Sequence, residues 1–185
     1  SRPALHLVGT EILYDVEKAP WDLIAQADVV HYGAPEFQGG KAVAKVLRAA
    51  KDGGAITSAD LLAGGSKAVV TWIQDALPYI DFLLPNDEQI MGYTGETDLV
   101  AACRKMIDYG AVVVTRDTVT EVPAMKAKVI ATDGAGDSFS AGFLKGIAEG
   151  YSPAEAGVWG VATASFTVVG VGSDAGEFTD EDVRK

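Results

Sequence analysis

The chain has 185 residues, 48% of them hydrophobic, enough for one domain with a substantial core. Acidic residues outnumber basic ones 26 to 15, for a formal charge of −11, and no Lys/Arg cluster could track a nucleic-acid backbone, so nucleic acid is set aside as a partner. No apolar run approaches the ~20 residues of a membrane span, "SRPALHLVGT" has no signal-peptide layout, and Cys103 is the one cysteine; the expectations are no membrane partner, a cytoplasmic setting and no internal disulfide.

In chain order, "ALHLVG" (4–9), "DVVHYGA" (28–34), "GAITSAD" (54–60), "IDFLLPN" (80–86) and "GAVVVTRD" (110–117) predict strands, nearly continuous in apolar character as in a parallel sheet buried on both faces. Between them "GGKAVAKVLRAAKDGG" (39–54), "GSKAVVTWIQDALPY" (65–79) and "TDLVAACRKMIDYG" (97–110) carry apolar residues at helical spacing with glycine or proline stops. This is βαβ order, which predicts a three-layer α/β/α, doubly wound, mostly parallel sheet in a single domain over 1–185. Cys103, Trp21, Trp72 and Trp159 fall in helical patterns and read as packing residues. His6 and His31, in strand-like runs without a second ligand at metal spacing, read as packing or strand ends.

The last third is helical. In "GYSPAEAGVWGVATASF" Ser152 can cap, Pro153 takes the first helical position and Glu155 closes a capping box; Thr179 can start a short terminal helix in the same way. Ahead of these, "ATDGAGDSFSAGFLKG" (131–146) turns from small residues into an apolar stripe of Phe139, Phe143, Leu144 and Ile147, so a helix begins within or just after Gly134-Ala135-Gly136. Glycines there allow positive φ and close approach of a ligand, and the exposed N–H groups with the helix dipole make an anion site despite the overall negative charge. Asp137, in the first turn, would orient an acceptor hydroxyl and take its proton while the N–H groups meet charge on a moving phosphoryl group. The same residues suit an ordinary helix start equally well. A Walker loop would need Gly-Lys-Ser/Thr where this chain has Gly-Asp-Ser, and Phe139 stands where a dinucleotide fingerprint needs its third glycine.

The stretch resembles the second signature of the pfkB-type carbohydrate kinases, the ribokinase-like family, Asp-Thr-x-Gly-Ala-Gly-Asp-x-Phe-x-x-Gly. Thr132, Gly134, Ala135, Gly136, Asp137, Phe139 and Gly142 match, and Ala131 replaces the leading Asp. The resemblance implies a ribokinase-like fold and an ATP- and Mg²⁺-dependent kinase of a hydroxyl on a small sugar or nucleoside. In it Asp137 is the catalytic base and Gly134, Ala135 and Gly136 line the anion hole. "FLLPNDEQIMGYTG" is similar to the family's Pro-Asn-x-x-Glu segment, with Pro85, Asn86, Thr94 and Gly95 matching; the family's metal-linked Glu falls at Gln89, which can reach a hydrated metal through water but supplies no charge. "AVVVTRD" is similar to a strand leading toward the nucleotide phosphates, with Thr115 matching and Asp117 where glycine is usual. Asn86, Thr115, Gly134 and Gly136 are thereby the nucleotide-binding residues. Of the family strand ending in Asp, "AITSAD" keeps Asp60, a loop residue on this reading.

The likeness spans essentially all 185 residues but only the carboxyl-terminal two thirds of a usual member. The small β-sheet lid, through which relatives form a homodimer, and a hairpin after "VVVTRD" have no counterpart. The expectation is that the sequence joins ordered pieces of a longer chain, since a core without its first strands would expose sheet edges. Gln89, Asp117 and the missing segments motivate a second reading, a catalytically weakened nucleotide- or sugar-binding or regulatory protein.

Overall fold

Three short parallel strands carry the sheet of the first of two compact units, Ser1–Val112 and Val113–Lys185. The computed structural model describes residues 15–62, 70–107, 120, 122–123, 125–172 and 176–184; the strands expected at 4–9 and 110–117 lie outside them. Strands β1 (Val29–Gly33), β2 (Ile56–Asp60) and β3 (Phe82–Leu83) pair in the order β1-β2-β3, with Val29 opposite Ile56 and Ser58 opposite Phe82. The expected strand at 80–86 shrinks to two residues, because Asp81 turns its carboxylate back onto β2 and Asn86 already caps a helix.

Helix α1 is the short Trp21–Ile24, and α2 (Gly40–Asp52) is the crossover between β1 and β2. Val43, Val46, Leu47 and Ala50 recur along α2 at three- and four-residue steps, and all are buried. The segment expected as a helix at 65–79 departs from that reading. Its described part forms two 3-10 turns, Val70–Trp72 and Leu77–Tyr79, closed by bonds three residues apart such as Ile73 N–H to Val70 C=O (3.1 Å) and Tyr79 N–H to Ala76 C=O (2.9 Å). Pro78 is the reason: it has no N–H, and its ring would strike the carbonyl four residues back in an α-helix. The apolar spacing is still honoured, since Ile73, Ala76, Leu77 and Ile80 join Val43, Leu47, Leu83 and Ile90 in one core, while Trp72 is exposed.

Thr57 and Asp81 tie β2 to the entry of β3. Thr57 donates its hydroxyl to the Tyr79 carbonyl (2.7 Å) and its N–H to the Asp81 carboxylate (2.9 Å), which Lys51 also meets. Burial pushes the Asp81 carboxyl up, but hydrogen bonds from Lys51 and Thr57 outweigh it and hold the group below its ordinary range. A carboxyl depressed in the fold stabilises it above about pH 4 and loses that contribution as the pH falls through its folded pKa. Asp81→Asn is therefore expected to cost about 1 kcal/mol at neutral pH, discounted for a pair 35% exposed, and the gap should close in acid. Urea melts of both proteins between pH 7 and pH 3 measure it.

Helices α3 (Asp87–Thr94) and α4 (Leu99–Ile107) follow. Gly95, at φ +71°, closes α3, and the Asp98 carboxylate caps α4 through the Ala101 N–H (2.8 Å). Cys103 packs half-buried against the core, and burial pushes its thiol up, so it is a packing residue.

The second unit is built on α5 (Ala135–Ala148) and α6 (Pro153–Thr167). Their axes approach closely because side chains are missing where they touch. A Cβ on Gly142 would stand 2.8 Å from the Trp159 carbonyl oxygen, and one on Gly160 2.9 Å from that of Phe139. Ser152 and Glu155 form the expected capping box on α6, and Thr179 with Asp182 forms one on α7 (Asp180–Val183). Lys145 bonds Asp180 (2.9 Å), and Arg184 bonds Glu149 (2.7 Å) while lying 4.7 Å over the Trp159 ring, so α7 is held on the helix pair.

Candidate functional site

Ligands of open α/β sheets bind outside the carboxyl ends of the strands, and in the first unit those ends are joined into one edge. β1 leaves through Ala34, a non-glycine residue at φ 51° ahead of Pro35, and its N–H donates to the Asp60 carbonyl at the end of β2 (3.0 Å). Asp60 is thus the last residue of β2, at the end of the strand expected over 54–60. Two residues earlier, His31 on β1 stands 2.8 Å from Ser58 Oγ across the strands, as a strand residue should.

Beyond Asp60 the chain is held from α3. Asn86 caps that helix by accepting from the Gln89 N–H (2.8 Å), and the Gln89 side-chain carbonyl accepts from the Asn86 N–H (2.8 Å). The Gln89 amide nitrogen donates to the Leu61 carbonyl. Glu36, from the turn after β1, accepts from the Leu62 N–H (2.9 Å) and from the Tyr93 hydroxyl (2.6 Å). Burial, then Glu36 beside it, push the Tyr93 phenol far above its ordinary value, so it stays a donor. Glu36 and Tyr93 had no signal in the sequence: they meet 57 residues apart, and the sole local hint is that Tyr93 lies one turn beyond Gln89.

The second unit brings Gly134, Ala135, Gly136 and Asp137 into one turn at the start of α5. Gly134 is the residue before the helix, at φ 76°, with no capping side chain, so its glycine is demanded by conformation. Ala135 N–H turns back to the Thr132 carbonyl (3.3 Å) and Ser138 N–H to that of Gly134 (2.9 Å). The N–H groups of Gly136 and Asp137 have no acceptor among the described residues. Gly136 is different from Gly134: its φ is not positive, and a Cβ there would meet nothing within 4 Å. Neither backbone nor packing asks for a glycine, and a glycine inside a helix costs about 1 kcal/mol against alanine. Among the described residues, what it leaves is open space beside two N–H groups without an acceptor.

The turn is anchored from behind. Ile130 N–H donates to the Val168 carbonyl (2.8 Å), Thr167 donates its hydroxyl to Ser138 Oγ (2.7 Å), and Phe139 lies over Gly160 and stacks on Phe143 at 6.2 Å. Asp137 itself is exposed.

Of the residues expected to serve a nucleotide, Gly134 and Gly136 lie in this turn, Asn86 caps α3, and Thr115, like Asp117, lies outside the described residues. A phosphate group fits the turn, where the N–H groups of Gly136 and Asp137 have no acceptor among the described residues and the Asp137 carboxylate is exposed. A metal fits Gln89 poorly, because both ends of its uncharged amide already face protein partners, and among the described residues no three His, Cys, Asp or Glu side chains cluster as a metal site.

The chain matches the pfkB family of carbohydrate kinases over residues 10–179. It belongs to that family. A nucleoside kinase of Methanocaldococcus jannaschii is 50% identical over 60 residues, 32% of this chain and 20% of that protein. Among solved structures, adenosine kinase from Sinorhizobium meliloti superposes with a TM-score of 0.75 at 20% identity, covering 94% of this chain and 58% of the other. Arabidopsis thaliana ribokinase, in complex with ribose and ATP, gives 0.74 at 23%, covering 90% and 58%. These likenesses establish the ribokinase-like α/β fold; the chain spans a fifth of the nucleoside kinase and under three fifths of either structure. Among the described residues no helix is long and apolar enough to cross a membrane.

Proposed function

We propose that the protein is an ATP-dependent phosphotransferase acting on a hydroxyl of a small sugar or nucleoside, working in the cytoplasm. The observation that carries this is the turn before α5, where Gly136 is required by neither conformation nor packing and two N–H groups without an acceptor among the described residues stand next to an exposed carboxylate. The Gly136 and Asp137 N–H groups meet the phosphoryl oxygens, where charge is spread in a loose transition state. Asp137 orients the acceptor hydroxyl and takes its proton at the carboxylate. Asn86 and Thr115 are assigned to the nucleotide on the family pattern, and relatives that carry ATP, ribose or nucleosides in their names support the substrate class. Magnesium enters as the counter-ion that ATP brings with it, and no described side chain is assigned to it.

Coupled detection of ADP release from the intact protein over a panel of sugars and nucleosides tests the reading. Acceptor-dependent ADP with a phosphorylated product supports it, and ATP turnover indifferent to every acceptor would sink it. A second reading, a weakened kinase-like binding protein, is favoured by the engaged, uncharged Gln89 and predicts nucleotide or sugar binding without product. Gly136→Ala separates function from fold: stability should rise by about 0.4–1 kcal/mol because the unfolded chain loses freedom, while ATP affinity falls. Calorimetric melting beside ATP titration reads both effects.

A further inference from the structure

We infer that Gln89 is a positioning residue in this chain: with Glu36 and Tyr93 it clasps the exit of β2 to the start of α3, and so fixes where Asn86 stands. The inference rests on the kinase reading only in assigning Asn86 to the nucleotide.

The two ends of the Gln89 amide have complementary partners, a donor N–H at Asn86 and an acceptor carbonyl at Leu61. Reversing the amide would set oxygen against oxygen and N–H against N–H, so its orientation is fixed by the protein. A glutamate at this position could still accept from Asn86, but it has no proton for Leu61 and would turn negative charge on a carbonyl. The amide is therefore demanded by the sheet edge. One helical turn on, Tyr93 reaches the same stretch through Glu36, which holds the Leu62 N–H. The carbonyl of Leu61 and the N–H of Leu62, neighbours on the chain leaving β2, are thus both gripped from α3, one directly and one through a carboxylate. The capping box passes that grip on to Asn86.

The test is Gln89→Glu in the intact protein, melted without nucleotide. The melting temperature should fall by roughly 3–6 °C, for one lost hydrogen bond and an unsatisfied carbonyl in a protein of this size, and millimolar Mg²⁺ alone should leave that deficit unchanged. Tyr93→Phe should lower it too, and the double variant should lose less than the sum of the two, because both grips act on one segment. In steady state Gln89→Glu should raise KM for ATP several-fold with kcat held, as expected when a binding group is displaced but not removed. An unchanged melting temperature, strictly additive losses, or Mg²⁺ alone stabilising the variant and not the parent would each overturn the clasp, the last by returning position 89 to metal handling. Melting needs no turnover, so a parent protein inert toward ATP would defeat the kinase reading and leave the clasp standing or falling on its own temperatures.

Discussion

Replacing Asp137 by asparagine is expected to lower kcat for phosphoryl transfer by about 10²–10⁴-fold, the usual contribution of a positioned proton acceptor. The fold should hardly register the change. Asp137 is exposed, accepts no hydrogen bond among the described residues, and stands in a helix whose first turn is anchored by Ser138 and Phe139 instead. Asparagine is nearly isosteric, so what is lost beside the proton acceptor is the favourable meeting of a negative charge with the helix N-terminus, about 0.3–1 kcal/mol. A melting temperature lowered by only about 1–3 °C, measured by calorimetry on the sample used for product assays, separates lost chemistry from lost structure. Undiminished product formation would take Asp137 out of the mechanism.

Alanine at Gly142 or at Gly160 should have the opposite signature, with stability falling first. Each new Cβ would stand under 3.0 Å from a backbone oxygen of the facing helix, 2.8 Å from Trp159 and 2.9 Å from Phe139, and neither oxygen can swing aside as a flexible side chain would. The helices must separate by some tenths of an ångström, which costs about 1–3 kcal/mol in overpacked interiors and lowers the melting temperature by roughly 2–10 °C. Gly160→Ala should also lower turnover, since Phe139, which it displaces, lies two residues from Asp137. Gly142→Ala reports on packing at a motif glycine whose family pattern gave no reason for it. Two variants that melt with the parent would show that the helix pair has slack.

Where local chemistry decides, the sequence was readable. The capping boxes at Ser152 and Thr179 and the start of α5 follow from residue types a few positions apart, and all are present. Pattern failed over 70–79, the described part of the helix expected at 65–79, where the apolar spacing is satisfied by two 3-10 turns, the second of them holding Pro78. It was silent on Glu36, because a carboxylate held by Leu62 and Tyr93 is made by the return of the chain, 26 and 57 residues later. Gln89 shows a subtler limit. As a departure from a family acid it read as a weakened metal contact, and only the carbonyl of Leu61, brought near by the parallel sheet, gives the amide its own purpose. Gly134 and Gly136 were indistinguishable in sequence; dihedral angle and surrounding space tell them apart.

The helices α3, α6 and α7 all begin with reciprocal side-chain caps, and α5 begins with a bare glycine. The left-handed backbone at Gly134, φ 76°, bars the serine, threonine or asparagine cap that those helices carry. Without such a cap the N–H groups of Gly136 and Asp137 are expected to exchange with solvent earlier than the capped starts of α3 and α6. A bound phosphate would supply the missing cap. On the proposed function, adding ATP is expected to slow exchange at Gly136 and Asp137, so those two amides would report occupancy without any assay of product.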